Sequence, residues 1–245
     1  MGNVYLSLNF KDGKFFEYSK EEKEDFVKHE SQTGKVTYRK YYNKGVTGYL
    51  KGIKVRESEY GNELQVVMLA EEDTYYCSFK IYDQRGNIDN TFMKDLIKVL
   101  PNMEKGREYT LFPYRFQPDD SKYFKNGVSV KQNGERVDQS IGETFVKADG
   151  TVVAEGPIPA IVFQKDKLSG KNKPTAVSLE KRDSVLSDYL SQELDRLAVD
   201  NTTSHAASKT EEPAPVQQET TTEAQPTNVE TRSPATNTAG VKLPF

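Results

Sequence analysis

Two periods organise this chain. An alternation of apolar and polar positions dominates as far as Val137, and a helical period replaces it at a few points. Val4, Leu6, Leu8 and Phe10 share one parity, and Asp12-Gly13 separates them from a second run, Phe15-Phe16-Glu17-Tyr18. Asp-Gly favours the positive φ of a tight hairpin turn, so residues 4–19 are predicted to form a β-hairpin. Ser19 and Glu22 have the spacing of a capping box, which predicts a short solvated helix over Ser19–Glu30.

The middle of the chain is the most strand-like. Tyr49, Lys51, Ile53 and Val55 share a parity, and Gly45, Gly48 and Gly52 mark bends or bulges in a curved strand. A turn at Tyr60-Gly61-Asn62 leads to a second strand with Leu64, Val66, Met68 and Ala70 on one face. A third strand follows, with Tyr75, Cys77, Phe79 and Ile81 on one face and Tyr76, Ser78, Lys80 and Tyr82 on the other. Phe92, Leu96, Ile97 and Leu100 then fall at helical spacing, capped by Asp89 or Asn90 and stopped by Pro101. Strands resume over Glu108–Phe116 and Lys122–Val137, and Pro113 makes the first of them an edge strand or the site of a bulge. Three strands, a helix and two strands over residues 35–137 are the order of an OB-fold-like five-stranded barrel. A β-sandwich is the alternative.

Beyond Val137, Asp149-Gly150 predicts another hairpin, and Lys165–Pro174 reads as a basic, glycine-containing loop. Val185, Leu186, Tyr189, Leu190, Leu194 and Leu197 form the stripe of a helix over Asp183–Ala198, which packs on the barrel or serves oligomerisation. From Asn201 the chain is rich in Thr, Pro, Gln and Glu, and no Leu, Ile, Met, Phe or Tyr occurs between Ala198 and Lys242. That composition predicts disorder. The predicted fold class is therefore mainly β. It comprises an N-terminal hairpin and short helix (1–34), the barrel (35–137), a hairpin and helix extension (138–199) and a disordered tail (200–245).

Composition narrows the chemistry. The formal net charge of −3 is too small to signal a polyelectrolyte, so a nucleic-acid reading has to rest on local patches. Cys77 is the only cysteine, which excludes an internal disulfide and fits a reducing compartment. With two histidines, His29 and His205, far apart in sequence, neither a zinc site nor a histidine-activated nucleophile is expected. No Walker or dinucleotide glycine pattern occurs. Asp119-Asp120 and Glu71-Glu72-Asp73 are the carboxylates a metal nuclease could use, but they read as turn and loop residues. No cofactor, metal or catalytic residue is expected. No signal peptide or membrane-length apolar run is read from the sequence, so the expectation is a cytoplasmic protein.

Single-stranded nucleic acid is held by cations along the phosphates and rings beneath the bases, each stacked base being worth about 1–3 kcal/mol. The third strand offers Tyr76, Lys80 and Tyr82 on its outward parity, with Arg85 beyond it. The first strand offers Tyr49 and Lys51, and the segment before it Arg39, Lys40, Tyr41 and Tyr42. The fourth adds Tyr114, Arg115 and Phe116. Tyrosine and phenylalanine also suit strands for packing reasons alone, so the weight lies on their recurrence beside cations.

The chain's last residues are Leu243, Pro244 and Phe245. An OB-fold followed by a polar tail and an apolar-Pro-Phe tip resembles the bacterial single-stranded DNA-binding proteins. The resemblance implies a non-catalytic protein that coats single-stranded DNA during replication, recombination and repair. It also implies that Leu243, Pro244 and Phe245 dock on replication or repair proteins. Family tips are preceded by aspartates, whereas Lys242 precedes this one and the nearest acid is Glu230. The N-terminal hairpin and residues 138–198 have no counterpart in the family pattern. A phage-encoded relative acting in the host cytoplasm would account for both departures. The alternative is a structural or adaptor β-protein, such as a virion component, with a C-terminal docking peptide.

Overall fold

The alternating segments become strands, and pairing among them decides most of the architecture. The computed structural model describes residues 2–31, 33–58, 61–83, 86–88, 91–147 and 149–200. In chain order these form β1 (Gly2–Asn9), β2 (Lys14–Ser19), β3 (Val27–Glu30), β4 (Val36–Tyr42), β5 (Val46–Ser58), β6 (Gly61–Leu69) and β7 (Asp73–Lys80). Helix α1 (Thr91–Val99) runs into a 3₁₀ turn (Leu100–Asn102), and β8 (Glu108–Phe116), β9 (Lys125–Gln132) and β10 (Glu135–Arg136) follow. The rest is β11 (Phe145–Val146), β12 (Val152–Ala154), β13 (Phe163–Lys165), β14 (Asn172–Pro174) and α2 (Ala176–Arg196).

Ten strands make one sheet in the order β10-β9-β8-β5-β6-β7-β1-β2-β4-β3. β1 runs parallel to β7, and the other pairs are antiparallel. The five expected strands and the helix between the third and fourth are present, as β5, β6, β7, α1, β8 and β9. Closure into a barrel would require the outer members of that set, β7 and β9, to pair. Among the described residues they do not, and no closed barrel forms: the free side of β7 takes β1, which carries β2, β4 and β3 with it. The sheet nevertheless curls. At Gly13 (φ +60°), in the β1–β2 turn, an added Cβ would lie 2.4 Å from the Arg115 nitrogen on β8. The Arg115 guanidinium donates to the Phe10 carbonyl (3.1 Å).

One face of the curled sheet encloses the core. Leu6, Phe15, Leu50, Ile53, Leu64, Val66, Met68, Cys77 and Phe79 are buried there, and α1 adds Phe92, Met93, Leu96 and Ile97. Phe15 meets Phe79 edge to face at 5.4 Å. Cys77 is buried as expected, and burial pushes its thiol well above the ordinary range.

Several local expectations change. Ser19–Glu30 is not a helix: the Ser19 hydroxyl accepts from the Glu21 amide, Asp25 takes a positive φ (66°), and residues 27–30 pair with β4. An available strand edge outweighed the capping pattern. In β5 the parity of Tyr49, Lys51 and Ile53 fails because the register slips between Leu50 and Gly52. That bulge sends Leu50 and Ile53 inward and leaves Tyr49 half exposed, at 50%. Pro113 lies within β8 opposite Val128 of β9. Pairing of β8 with β5 stops at Leu111, so the proline sits where β8 has only one neighbour. The basic loop over Lys165–Pro174 forms the β13–β14 hairpin.

Helix α2 starts earlier than its apolar stripe, because the Thr175 side chain caps it by accepting from the Ser178 amide (3.3 Å). Its first turns carry Arg182, which is 2% exposed. Arg182 pairs with Glu143 at 2.7 Å, and Lys98 and Lys94 of α1 reach the same carboxylate. Burial alone would raise the Glu143 carboxyl; the hydrogen bonds from Arg182 and Lys98 outweigh it and bring it to about 2. At its far end α2 runs back onto β5, where Ile53 N–H donates to the Leu197 carbonyl (2.8 Å). Gly52 (φ +143°) permits this approach, since a Cβ there would lie 2.4 Å from that carbonyl oxygen.

Candidate nucleic-acid interface

The face of the sheet turned away from the core carries a group of rings and cations. The outward parities follow from the register. Tyr76 lies opposite Tyr5 and Val67, Ser78 opposite Ser7 and Gln65, and Lys80 opposite Glu63. Ser7 continues to Phe16 and Phe16 to Tyr41, while Tyr18 lies opposite Arg39. On β5, Lys54 and Arg56 stand opposite Gln65 and Glu63. Six adjacent strands, β5-β6-β7-β1-β2-β4, therefore present Lys54, Arg56, Tyr76, Lys80, Tyr5, Phe16, Tyr18, Arg39 and Tyr41 to one side.

Several of these side chains meet. Tyr5 and Tyr76 stack with ring centroids 4.8 Å apart and planes 14° from parallel. The Lys54 ammonium sits 4.7 Å from the Tyr76 centroid, and the Arg56 guanidinium 6.0 Å from that of Tyr5. Both cations belong to β5: Lys54 reaches across β6 to β7, and Arg56 across β6 and β7 to β1. Arg39 lies 4.6 Å over Phe16, and Phe16 packs beside Tyr41. Burial, with Tyr5 alongside, raises the Tyr76 phenol. The centre of the face is recessed: Gln65 donates to the Ser78 hydroxyl (3.1 Å), and both are buried.

Charge on this face is mixed, since Glu63 of β6 lies opposite both Arg56 and Lys80, and Lys23, Arg115 and Lys122 lie over rings elsewhere. Among the described residues Lys54, Arg56 and Arg39 have rings as partners and make no ion pair, whereas Lys40, Lys105, Lys173 and Arg196 each pair with a carboxylate. A cation over a ring keeps its charge available to a phosphate.

The sequence-derived candidates divide. Tyr76, Lys80, Arg39 and Tyr41 come together here. Tyr49 stands on the same face, beside Leu69, and Lys51 is exposed in the bulge next to it. Tyr82 is exposed just past β7. Lys40 and Tyr42 alternate with Arg39 and Tyr41 and so point to the opposite side. Lys40 is 3.8 Å from Asp25. Tyr42 donates to Glu17 and meets Tyr75 edge to face, and burial and Glu17 push its phenol up. Tyr114, Arg115 and Phe116 form a separate group on β8: Tyr114 is 5.9 Å from Phe116, and Arg115 lies 4.3 Å over Phe124. Burial, and Asp95 nearby, raise the Tyr114 phenol. Arg85, Leu243, Pro244 and Phe245 lie outside the described residues, as does the predicted disordered tail from Asn201.

Tyr5, Phe16, Tyr18, Lys54 and Arg56 were not among the candidates. Each lies on the polar parity of a strand whose other parity is core, which is the signal that identified Tyr76 and Lys80. No helix among the described residues is long and apolar enough to cross a membrane. Comparison with family models, curated proteins and solved structures finds no match, so the functional reading rests on these residues.

Proposed function

We propose that this protein binds single-stranded DNA without catalysing a reaction on it, acting in replication, recombination or repair. The observation that supports the reading most is the outer face of β5-β6-β7-β1-β2-β4. It gathers stacked or cation-capped rings with Lys54, Arg56 and Arg39, which make no ion pair among the described residues. Unpaired bases expose ring faces and a regular line of phosphates, and a platform of this kind offers a partner for each. Duplex DNA hides its base faces and is disfavoured. Crossing six strands spaced about 4.8 Å apart spans roughly 24 Å. At the 3.4 Å advance per nucleotide of a helical strand this holds about seven nucleotides, and fewer when the strand is stretched.

Recruitment of replication or repair proteins through Leu243, Pro244 and Phe245 is the second part of the proposal, carried by the resemblance to bacterial single-stranded DNA-binding proteins. The test of the first part is a titration of tyrosine fluorescence with oligo-dT. Quenching that saturates, weakens with salt and is not matched by duplex of the same length supports the reading. A flat signal and an unshifted band in a gel refute it.

A second reading, an adaptor or virion component, has its own observation. Phe145, Val152 and Val153 on β11–β12 and Phe163 on β13–β14 are about half exposed, and Leu168 fully so. That reading requires the oligo-dT titration to fail.

A further inference from the structure

The proposed strip ends in a recess. A cavity of about 630 Å³ opens between β1, β2, β4 and β7, and its walls include Phe16, Tyr41, Arg39, His29, Lys80 and Ser7. The volume lies in the range of small-molecule sites, about 300–1,000 Å³, and would take one nucleotide. Rings and cations that suit a nucleotide outnumber the acids in the wall: Phe10 joins the two rings and Lys11 the two cations, against the carboxylates of Asp12 and Glu63.

Two nitrogens in this wall are buried without a hydrogen-bond partner, Arg39 Nε and His29 Nδ1. They belong to diagonal neighbours on one face, since Arg39 pairs with Val27 and His29 with Thr37 in the β3–β4 ladder. Arg39 accounts for its position by resting on Phe16, at 4.6 Å, rather than by pairing with an acid. A buried donor lacking an acceptor is costly, and a ligand that supplies the acceptor relieves that cost. In the free protein Arg39 thus covers the ring face of Phe16 while its Nε goes without an acceptor.

We infer that this recess is a subsite for one unstacked nucleotide of the bound strand. The base takes the face of Phe16, Arg39 turns from the ring to the adjoining phosphate, and Lys80 faces the next phosphate along the strand. The inference rests on the single-stranded DNA reading and adds a defined pocket to it, where the strip alone would hold every base in the same manner. Free phosphate or a mononucleotide shares part of this chemistry, and the experiment separates them.

The experiment photo-crosslinks full-length protein to oligo-dT carrying one 5-iodouracil, maps the attached peptides, and measures salt dependence for wild type, R39M and the distant control K173Q. The expected result is attachment to the β2 or β4 peptides containing Phe16 or Tyr41, alongside attachment near Tyr5 and Tyr76. R39M should bind about fivefold more weakly at 0.1 M salt, with a log–log slope flatter by about 0.7, one phosphate contact on a single strand. K173Q should match wild type. Attachment confined to β1 and β7, with an unchanged R39M slope, overturns the pocket and leaves the strip standing. Absence of any crosslink or quenching removes the parent reading instead. Loss of the β2 and β4 crosslinks on adding inorganic phosphate alone, at unchanged ionic strength, shows an anion site and overturns the nucleotide assignment. Loss on adding dTMP but not phosphate supports it. The crosslink map needs only wild-type protein, so the inference stays testable if R39M fails to fold.

Discussion

Replacing Lys54, Arg56 and Arg39 together by methionine gives the sharpest test of the proposed interface. Methionine keeps an apolar stem over each ring and removes the charge. If the four cations on the strip, these three and Lys80, each neutralise a phosphate, the wild-type plot of log affinity against log salt should fall with a slope of about −3. Losing three contacts should flatten it to about −0.7, since each contributes roughly 0.7 on a single strand. Between 0.1 M and 1 M salt the two lines therefore converge by about two logarithmic units. The variant should bind about 100-fold more weakly at 0.1 M, or about 3 kcal/mol, and nearly as well as wild type at 1 M. Tyrosine quenching with oligo-dT at five salt concentrations reads both quantities, and a thermal melt of the variant confirms that it is folded. An unchanged slope would refute the reasoning. A loss of equal size at every salt concentration would refute it too, because packing rather than phosphate contact would then have been removed.

Other consequences are independent of that count. Y5A should cost about 1–3 kcal/mol of oligo-dT affinity by removing half of the Tyr5–Tyr76 stack; affinity within a factor of two of wild type would place the bases elsewhere. E143Q should destabilise the fold by about 3–5 kcal/mol at pH 7, because Arg182 and Lys98 lose their counter-charge. The Glu143 carboxyl falls from an ordinary 4.5 to about 2 in the fold. Its contribution is thus complete above pH 4.5 and fades as pH drops toward 2, and urea titrations of wild type and E143Q should converge there. G52A should cost about 1–3 kcal/mol from strain at its positive φ, plus the Ile53–Leu197 hydrogen bond, read as a lower urea midpoint. Removing Leu243–Phe245 should leave oligo-dT affinity unchanged and abolish capture of replication or repair proteins; retained capture would argue against the tip.

Local order was legible where one side chain decides one outcome. Cys77 and Phe79 face inward, and Tyr76 and Lys80 outward, because alternation in a strand with one buried face leaves no other choice. Helix α1 was readable from Phe92, Leu96 and Ile97 for the same reason. What the pattern could not convey was which strand finds which neighbour. Gly2–Ser7 pairs in parallel with Asp73–Ser78 across an interval of 71 residues. Nothing in residues 2–9 marks that partner, and it is this choice that leaves the barrel open and puts Tyr5 on Tyr76. The charged run at residues 20–30 has helical composition, yet residues 27–30 complete an edge of the sheet. Arg182 reads as a surface residue of a helix until Glu143, 39 positions earlier, is placed beside it.

The long interval between Tyr5 and Tyr76 also bears on the order of assembly. β7 leaves the ribosome well after β1, so the amino-terminal strand has no parallel partner until some seventy residues have followed it. Closing a loop of that length makes this pairing a slow, non-local step. A nascent or partly folded chain therefore has Tyr5 and Tyr76 but not their stack, and the outer face is assembled only with the finished sheet.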